Sequence, residues 1–286
     1  MEMAKVSFTA EEAYVDKLAI AQAFGKAAKS YDQHAAFQRE VGHKLLDKLP
    51  QDLSDLRVLD LGCGTGYFSW QLLQRGAEVV CADLSHEMLE QAKARCGLES
   101  VSYRVADAES LPFERDPLDI VYRSLALPSC DRDEFDIVFS SLALQWCEDL
   151  SRPLREMNRV VKPHGQVLFS TLLDGSLNEL KQAWAKIDSY QHVNRFISAN
   201  QVKIALAQSH SHNHHLDLTD ITVWYESAFA VMRDLKGIGA NHVSGRSHGL
   251  TTRQALKRVE REYQTFQNHL GHVPASYKVC LGVIQL

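Results

Sequence analysis

The stretch that most constrains the fold is 57–67, which reads RVLDLGCGTGY. Its first half contains a short apolar run, Val58, Leu59 and Leu61, as in a strand that is buried on both faces. Three glycines follow, and the amphipathic segment 67–74 begins directly after them. A strand, a glycine turn and a helix in this order let the backbone approach a nucleotide-like ligand closely. The stretch therefore predicts an open α/β sheet with a ligand at its strand ends.

Acidic residues at the ends of three successive predicted strands narrow the kind of ligand. Asp60 lies at the end of the first strand, and Asp83 follows 23 residues later, after the apolar run 79–82. From that position a carboxylate can accept hydrogen bonds from both hydroxyls of a ribose. A third strand over 101–105 leads to Asp107, which can accept a hydrogen bond from the exocyclic amine of an adenine. Together the three acids favour an adenosine compound.

The residues after the glycines separate this turn from two other nucleotide-binding turns. The dinucleotide fingerprint G-x-G-x-x-G needs a glycine at position 67, where this chain has tyrosine. A P-loop needs Lys followed by Ser or Thr, and that pair is absent after the turn. The turn is therefore predicted to bind neither a dinucleotide nor a nucleoside triphosphate.

The N-terminal segment 11–49 carries two stripes of apolar residues at helical spacing. These helices could cover an edge of the sheet. They could instead form a lid that closes over the ligand, with Tyr31 at its polar tip. Both interpretations stay open from the sequence.

Other local signals give the remaining elements. Ser85 is a candidate N-cap for a helix over 86–96, which brings Met88 near the adenine. In the sequence KPHG at 162–165, proline ends a helix and Gly165 permits a left-handed turn; Ser176 is expected to cap a later helix. The other predicted elements are helices over 67–75, 150–161, 176–187, 227–235 and 252–268, and strands over 78–82, 135–140, 166–172, 221–225 and 279–284.

A local duplication lies in the middle of the chain. Residues 115–127 read RDPLDIVYRSLAL and residues 132–144 read RDEFDIVFSSLAL, with nine of thirteen positions identical. We assign the next central strand to the second copy, because the chain then continues into Gln145-Trp146 and a helix. The first copy, an insert at about 115–131, is expected to be an extra loop or edge strand near the ligand end.

Composition excludes several classes of protein. The chain has 286 residues and a formal net charge of −5, which argues against a basic nucleic-acid-binding surface. No apolar run reaches the roughly 18 residues that span a bilayer, and the N-terminus lacks the hydrophobic core of a signal peptide. We therefore expect a cytoplasmic protein with neither nucleic acid nor membrane as a partner.

Cysteine and histidine patterns give no sign of a metal centre. Six cysteines are scattered without a C-x-x-C pair, so we expect reduced thiols. The run SHSHNHH at 209–215 contains four histidines, but it falls in a predicted exposed loop and lacks the usual ligand spacing. We expect no bound metal.

The motifs VLDLGCGTG, CADLS and VADAESLPF, within 57–113, resemble those of the Rossmann-like S-adenosylmethionine-dependent methyltransferases. The resemblance implies an α/β fold with a seven-stranded, mostly parallel sheet, an N-terminal helical lid and a helical cap inserted among the late strands. It also implies S-adenosylmethionine as methyl donor, with S-adenosylhomocysteine as product. Acids and glycines of the turn would hold the methionine end, Asp83 the ribose, and Asp107 with Ala108 the adenine. The expected cofactor-binding residues are Asp60, Gly62, Gly64, Gly66, Asp83, Leu84, Met88, Asp107 and Ala108.

Segments outside these motifs are similar to the malonyl-[acyl-carrier-protein] O-methyltransferases of biotin synthesis. They read AFGKAAKSYDQHAAFQ, LALQWC, FSTLLDGSLNELKQAW, NRF and MRDLKGIGANH, and the likeness covers essentially the whole chain apart from the insert. It implies methyl transfer to the free carboxylate of a malonyl thioester, carried by acyl carrier protein or by coenzyme A. Such a carboxylate is ionised at neutral pH, so no general base is needed.

The site should then supply cations that orient the carboxylate and apolar walls that exclude water. The candidate cations are Arg195, Lys236 and Arg233, and each could instead be a solvated surface charge. Tyr31 and Trp146 are the candidate walls or hydrogen-bond donors.

The C-terminal part has the charge that an acidic carrier protein would require. Residues 226–286 contain eight Lys or Arg and four Asp or Glu, a local excess of +4. Four of the cations lie on the predicted helix 252–268 and could form either a docking surface or a mixed-charge solvent face. They are Arg253, Lys257, Arg258 and Arg261.

We interpret the chain as one methyltransferase domain over 1–286. It would contain the helical lid at 11–49, the cofactor-binding core at 55–172, and a substrate region with the last strands at 173–286. Two alternatives stay open: a small-molecule C- or O-methyltransferase of quinone or natural-product type, and a cofactor-binding scaffold without turnover, which the insert makes plausible.

Overall fold

The computed structural model describes residues 16–113, 134–240 and 252–286. Its strands form one seven-stranded sheet in the order β3-β2-β1-β4-β5-β7-β6. Neighbours from β3 to β5 pair in parallel, whereas β7 runs antiparallel to both β5 and β6. The strands are β1 Arg57–Leu61, β2 Glu78–Asp83, β3 Val101–Val105, β4 Phe135–Ser141, β5 Val161–Leu172, β6 His214–Tyr225 and β7 Val273–Gln285. The predicted mostly parallel sheet is confirmed.

Helices within the described ranges cover both faces of this sheet. They are α1 Lys17–Ala27, α2 Tyr31–His34, α3 Ala36–Leu46, α4 Tyr67–Gln74, α5 His86–Cys96, α6 Ser151–Val160, α7 Asn178–Ala185, α8 Ala199–Gln208, α9 Ala228–Gly237 and α10 Arg253–Tyr263. Short 3₁₀ turns lie at Leu144–Trp146 and Gln264–Phe266. None of these helices combines the length and apolar composition needed to cross a membrane.

The alternating side chains of the central strands explain why the sheet is buried on both faces. Val58 of β1 belongs to a core cluster with α3, while Leu59 and Leu61 belong to a second cluster with α6. Because both faces need apolar residues, the strand sequences read as nearly continuous apolar runs. The strand order reverses between β1 and β4, and such a reversal opens a crevice at the carboxyl ends of the strands.

The last two strands are longer than predicted. β6 begins at His214 and β7 at Val273, well before the predicted starts at 221 and 279. β6 is an edge strand whose first half is polar, with His214, His215 and Asp220 exposed and Asp217 half-buried. A polar segment of this kind resembles a loop in sequence, so the pattern underestimated the strand.

One predicted turn and one predicted helix cap are wrong. In the KPHG sequence, which lies inside β5, His164 has the left-handed φ of +67° rather than Gly165. Gly165 is needed for space instead, because a Cβ there would lie 2.7 Å from the backbone oxygen of Asp136. Ser176 does not cap α7, since its hydroxyl accepts a hydrogen bond from the N–H of Lys278 at 2.9 Å.

The duplicated segment is described only in its second copy. That copy forms β4 between β1 and β5, as predicted. The first copy, with the rest of the insert at 115–131, lies outside the described residues.

Candidate active site

The glycine turn between β1 and α4 has the backbone shape that its sequence requires. Gly62, Gly64 and Gly66 have φ angles of +74°, +54° and +75°, which residues with a Cβ rarely adopt. At Gly62 a Cβ would also lie 2.3 Å from that of Ala143. At Gly64 a Cβ would meet nothing within 4 Å, so this part of the turn faces open space. A ligand can therefore approach the backbone closely here.

Asp83, at the carboxyl end of β2, is fixed in place by the turn. Its Oδ2 accepts a hydrogen bond from the N–H of Gly64 at 2.9 Å, and its Oδ1 accepts one from the N–H of Ser85 at 2.8 Å. Burial raises the pKa of Asp83, although these backbone hydrogen bonds oppose the rise. The carboxylate keeps lone pairs for further donors, as ribose binding would require.

A cavity opens beside the turn and is called the turn cavity below. It lies between the ends of β2, β3 and β4 and helix α1. Seven of the nine predicted cofactor-binding residues line it, and they are Gly62, Gly64, Asp83, Leu84, Met88, Asp107 and Ala108. Residues from the N-terminal helices also line it, among them Lys17, Phe24 and Tyr31.

The other two predicted residues, Asp60 and Gly66, lie behind the turn. The carboxylate of Asp60 is 2 % exposed and accepts a hydrogen bond from the hydroxyl of Ser69 on α4 at 2.6 Å. A Cβ at Gly66 would lie 2.9 Å from the backbone of Ala92 on α5. In this structure, therefore, Asp60 ties α4 to β1, and Gly66 lets α4 pack closely on α5.

Helix α1 is attached to the far end of the turn cavity by an ion pair. Lys17 contacts the carboxylates of Asp107 at 2.7 Å and of Glu109 at 2.5 Å. Burial works to lower the pKa of Lys17, but hydrogen bonds to the two acids outweigh it and raise that pKa. Further along α1, the ring of Phe24 packs edge-on against Trp146 with centroids 5.2 Å apart.

A second cavity adjoins the first and is called the side cavity below. It lies between α2, α3, α7, the 192–196 segment and the end of α9. Four residues line both cavities, and they are Phe24, Tyr31, Leu142 and Trp146. Most other lining residues are apolar, such as Phe37, Leu180 and Tyr277, and the polar ones are Gln38, Gln145, His192 and Asn194.

The structure separates the residues predicted for catalysis into two groups. Tyr31 and Trp146 lie where the two cavities meet. Arg195 is exposed and does not line either cavity, although its neighbours Asn194 and Phe196 do. Lys236 and Arg233 line an external groove between α1 and α9. In this structure none of the three cations lines the turn cavity or the side cavity.

The external groove, called the basic groove below, has its own composition. Lys26, Arg233 and Lys236 line it, together with His34, which pairs with Asp234 at 2.7 Å. Close packing forms its floor, because a Cβ at Gly237 would lie 2.2 Å from the ring of His34.

Sequence reasoning missed Lys17 and His192. The partners of Lys17 are about 90 residues away, so no local pattern reveals the pair. His192 lies four residues after Asp188, and this spacing of an acid and a histidine was the one sequence signal that could have indicated their ion pair.

The histidine run is not wholly a loop, because His214 and His215 begin β6. In the described ranges, no three His, Cys, Asp or Glu side chains lie together in a way that could hold a metal ion.

Comparison with known proteins gives one family. A family described as "Methyltransferase domain" matches residues 52–216. The malonyl-[acyl-carrier protein] O-methyltransferase of Yersinia pestis is 41 % identical over 273 residues, which cover 94 % of this chain and 92 % of that protein. The biotin biosynthesis bifunctional protein BioHC of Cellvibrio japonicus is 37 % identical over 266 residues, or 93 % of this chain and 49 % of that protein.

A solved structure agrees on the fold. The YcgJ protein of Bacillus subtilis has a TM-score of 0.57 and 19 % identity, with 86 % of this chain and 98 % of that chain covered. At this identity the likeness concerns architecture alone.

Proposed function

The chain belongs to the malonyl-[acyl-carrier protein] O-methyltransferase family, and from this membership we propose its reaction. It transfers a methyl group from S-adenosylmethionine to the free carboxylate of a malonyl group on acyl carrier protein. The product is the malonyl methyl ester with which pimeloyl synthesis begins in the biotin pathway. Biotin synthesis is also the role in the name of the relative from Cellvibrio japonicus.

The observation that carries the proposal is the common wall of the two cavities. Phe24, Tyr31 and Trp146 line both, so ligands in the turn cavity and the side cavity would meet at these rings. Methyl transfer requires donor and acceptor in line and in contact, and holding them so supplies much of the rate. Two adjoining cavities of different character support a two-substrate reaction.

The turn cavity suits the methyl donor. The open face of Gly64 admits close approach, the carboxylate of Asp83 suits ribose hydroxyls, and Asp107 with Met88 suits an adenine. Bound there, S-adenosylmethionine supplies a methyl group on a sulfonium, which a carboxylate can attack directly.

The residues at the common wall are suited to excluding water rather than to moving protons. Burial, together with the nearby charges of Asp83 and Asp32, raises the pKa of Tyr31, so its phenol stays neutral and can only donate or accept hydrogen bonds. Trp146 and Phe24 add apolar surface. A malonyl carboxylate needs no base, so a dry, neutral wall is sufficient.

The carrier protein docks, in this proposal, on the basic groove. Carrier proteins are acidic, and the groove presents Lys26, Arg233 and Lys236. The groove and the side cavity share walls. On α1, Ala23 lines the groove and Phe24 lines the cavity; on α9, Lys236 lines the groove and Leu235 lines the cavity. Helix α10, predicted from its cations, is the alternative surface, and Arg253, Lys257, Arg258 and Arg261 on it are all exposed.

Methyl transfer can be measured directly. The protein is incubated with methyl-labelled S-adenosylmethionine and malonyl-acyl carrier protein, and the carrier is analysed for a malonyl methyl ester. We expect label on the malonyl group and none on acetyl-acyl carrier protein, which lacks the free carboxylate. Cofactor binding without label on the malonyl carrier would refute the proposed reaction and favour a scaffold. Label on an unrelated small acceptor would favour a small-molecule methyltransferase.

A further inference from the structure

The side cavity lacks the cations that a carboxylate-binding site was expected to contain. Arg195, Arg233 and Lys236 all lie outside its lining. Among the described residues that line it, none is Lys or Arg, and His192 is the only one that can carry a positive charge. Within the described part of the chain, a carboxylate that enters this cavity therefore has one candidate cation.

His192 is held more firmly than a surface histidine would be. Its Nε2 lies 2.9 Å from Oδ1 of Asp188, and its ring stacks on Trp184 with centroids 3.7 Å apart and planes 9° apart. The side chain is 9 % exposed, and Trp184 is itself buried in α7. Because Asp188 engages Nε2, Nδ1 is the ring nitrogen left for a ligand, and it donates when both ring nitrogens carry a hydrogen.

We propose that His192, oriented by Asp188 and Trp184, binds the carboxylate of the acceptor substrate in the side cavity. This inference rests on the proposed function and names the group that recognises the substrate. A hydrogen bond from an imidazole N–H to a carboxylate oxygen is charge-assisted. The amide side chains of Gln38, Gln145 and Asn194 line the same cavity and can complete the contacts.

A histidine suits the chemistry better than an arginine would. A guanidinium binds both oxygens of a carboxylate, whereas one imidazole N–H binds a single oxygen and leaves the other to attack. In the transfer, a bond forms between that oxygen and the methyl carbon while the bond between sulfur and the methyl carbon breaks. The electron pair of the broken bond stays on sulfur. No proton moves. The ester product is neutral and makes a weaker hydrogen bond with the imidazole than the carboxylate does, which favours its release.

Two variants test the inference, with a matched control. His192→Phe keeps a ring to stack on Trp184 but removes both nitrogens, and Asp188→Asn keeps the imidazole but removes its carboxylate. We expect His192→Phe to raise KM for malonyl-acyl carrier protein about 10- to 100-fold and Asp188→Asn about 3- to 10-fold. In both, kcat should change less than KM, since the lost contact exists before transfer. The control is His215→Phe, which breaks the similar His215–Asp217 pair on β6, outside both cavities and the basic groove, and should leave KM unchanged.

Calorimetry separates failure of this inference from failure of the proposed function. Malonyl-CoA and acetyl-CoA are titrated into the protein saturated with S-adenosylhomocysteine. Equal affinity of the wild-type protein for both would contradict carboxylate recognition and with it the proposed function. If the wild-type protein prefers malonyl-CoA and His192→Phe keeps the full preference, the role of His192 alone is overturned. Loss of the preference in His192→Phe, with unchanged binding of S-adenosylhomocysteine, supports it.

Discussion

At the scale of single residues, the buried acid Asp60 gives the protein an unusual dependence on pH. Burial raises its pKa to about 7, although the hydrogen bond from Ser69 opposes the rise. In the unfolded chain the same carboxyl ionises near its ordinary value, about 3.9. Between these two values the folded protein holds a proton that the unfolded chain has lost. The free energy of unfolding should therefore fall as pH rises through this range.

We predict that Asp60→Asn removes this loss, because an amide keeps a hydrogen bond with Ser69 and cannot ionise. Between pH 5 and pH 8 the wild-type protein should lose about 2 to 3 kcal/mol more unfolding free energy than the variant does. Urea denaturation at both pH values measures the difference. The control is Asp52→Asn, an exposed carboxyl whose pKa is lowered by hydrogen bonds from Ser54. Parallel pH dependence of wild type and Asp60→Asn would contradict the prediction.

The positions of the glycine turn and of the acids at the strand ends could be predicted from the sequence, while the lining of the side cavity could not. The glycines and the acids at the strand ends follow from local order, because strand, turn and helix fix where Gly62, Asp83 and Asp107 lie. The acceptor cavity is assembled from segments far apart in sequence, such as Gln38, Trp146 and His192. Arg195 and Lys236 were selected for their charge within segments that resemble the family, and charged side chains are usually found at the surface.

At the scale of elements, helix α1 fastens the N-terminal segment over both cavities. Lys17 pairs with two acids beyond β3, and Phe24 packs on Trp146. Helix α2 adds a contact from Asp32, whose carboxylate accepts a hydrogen bond from the hydroxyl of Thr65 at 2.7 Å. These positions favour the lid interpretation for α1 and α2, whereas α3 packs into the core through Val41 and Leu45.

We predict that Lys17→Met weakens cofactor binding by loosening α1 at the adenine end. Loss of a half-buried pair with two acids should raise the Kd for S-adenosylhomocysteine about 5- to 10-fold, or about 1 kcal/mol. Isothermal titration calorimetry measures it. Lys93→Met, which breaks an exposed pair with Glu90 on α5, serves as the control. Tighter binding in Lys17→Met would show instead that Lys17 competes with adenine for Asp107.

At the scale of the whole molecule, the sequence predicted the architecture well because the parallel half of the sheet has a regular local code. Strands β1, β2 and β4 are short, mostly apolar and buried, and helices α4 and α5 follow β1 and β2 directly. The antiparallel half was less predictable. Polar edge positions disguised the start of β6, and the turn at His164 has no glycine in the left-handed position.

The distribution of charge over the molecular surface also belongs to this scale, because it determines where the proposed carrier protein docks. We predict that reversing two charges of the basic groove, Lys26→Glu with Arg233→Glu, raises KM for malonyl-acyl carrier protein at least tenfold and reduces its dependence on salt. Activity on malonyl-CoA should change little, since it has no acidic protein to dock. The matched variant is Arg253→Glu with Lys257→Glu on α10. A larger effect from the α10 variant would move the docking surface there.

The position of β7 affects the order in which the protein can fold during translation. This strand is the last of the seven in the chain, yet it lies between β5 and β6 and pairs with both. Until β7 leaves the ribosome, β6 has no neighbour in the sheet and β5 keeps one open edge. The half of the molecule with the glycine turn can therefore form early, while the side-cavity wall at Tyr277 must wait. During synthesis, β5 and β6 expose edges on which other nascent chains could pair, so chaperone demand should concentrate in this interval.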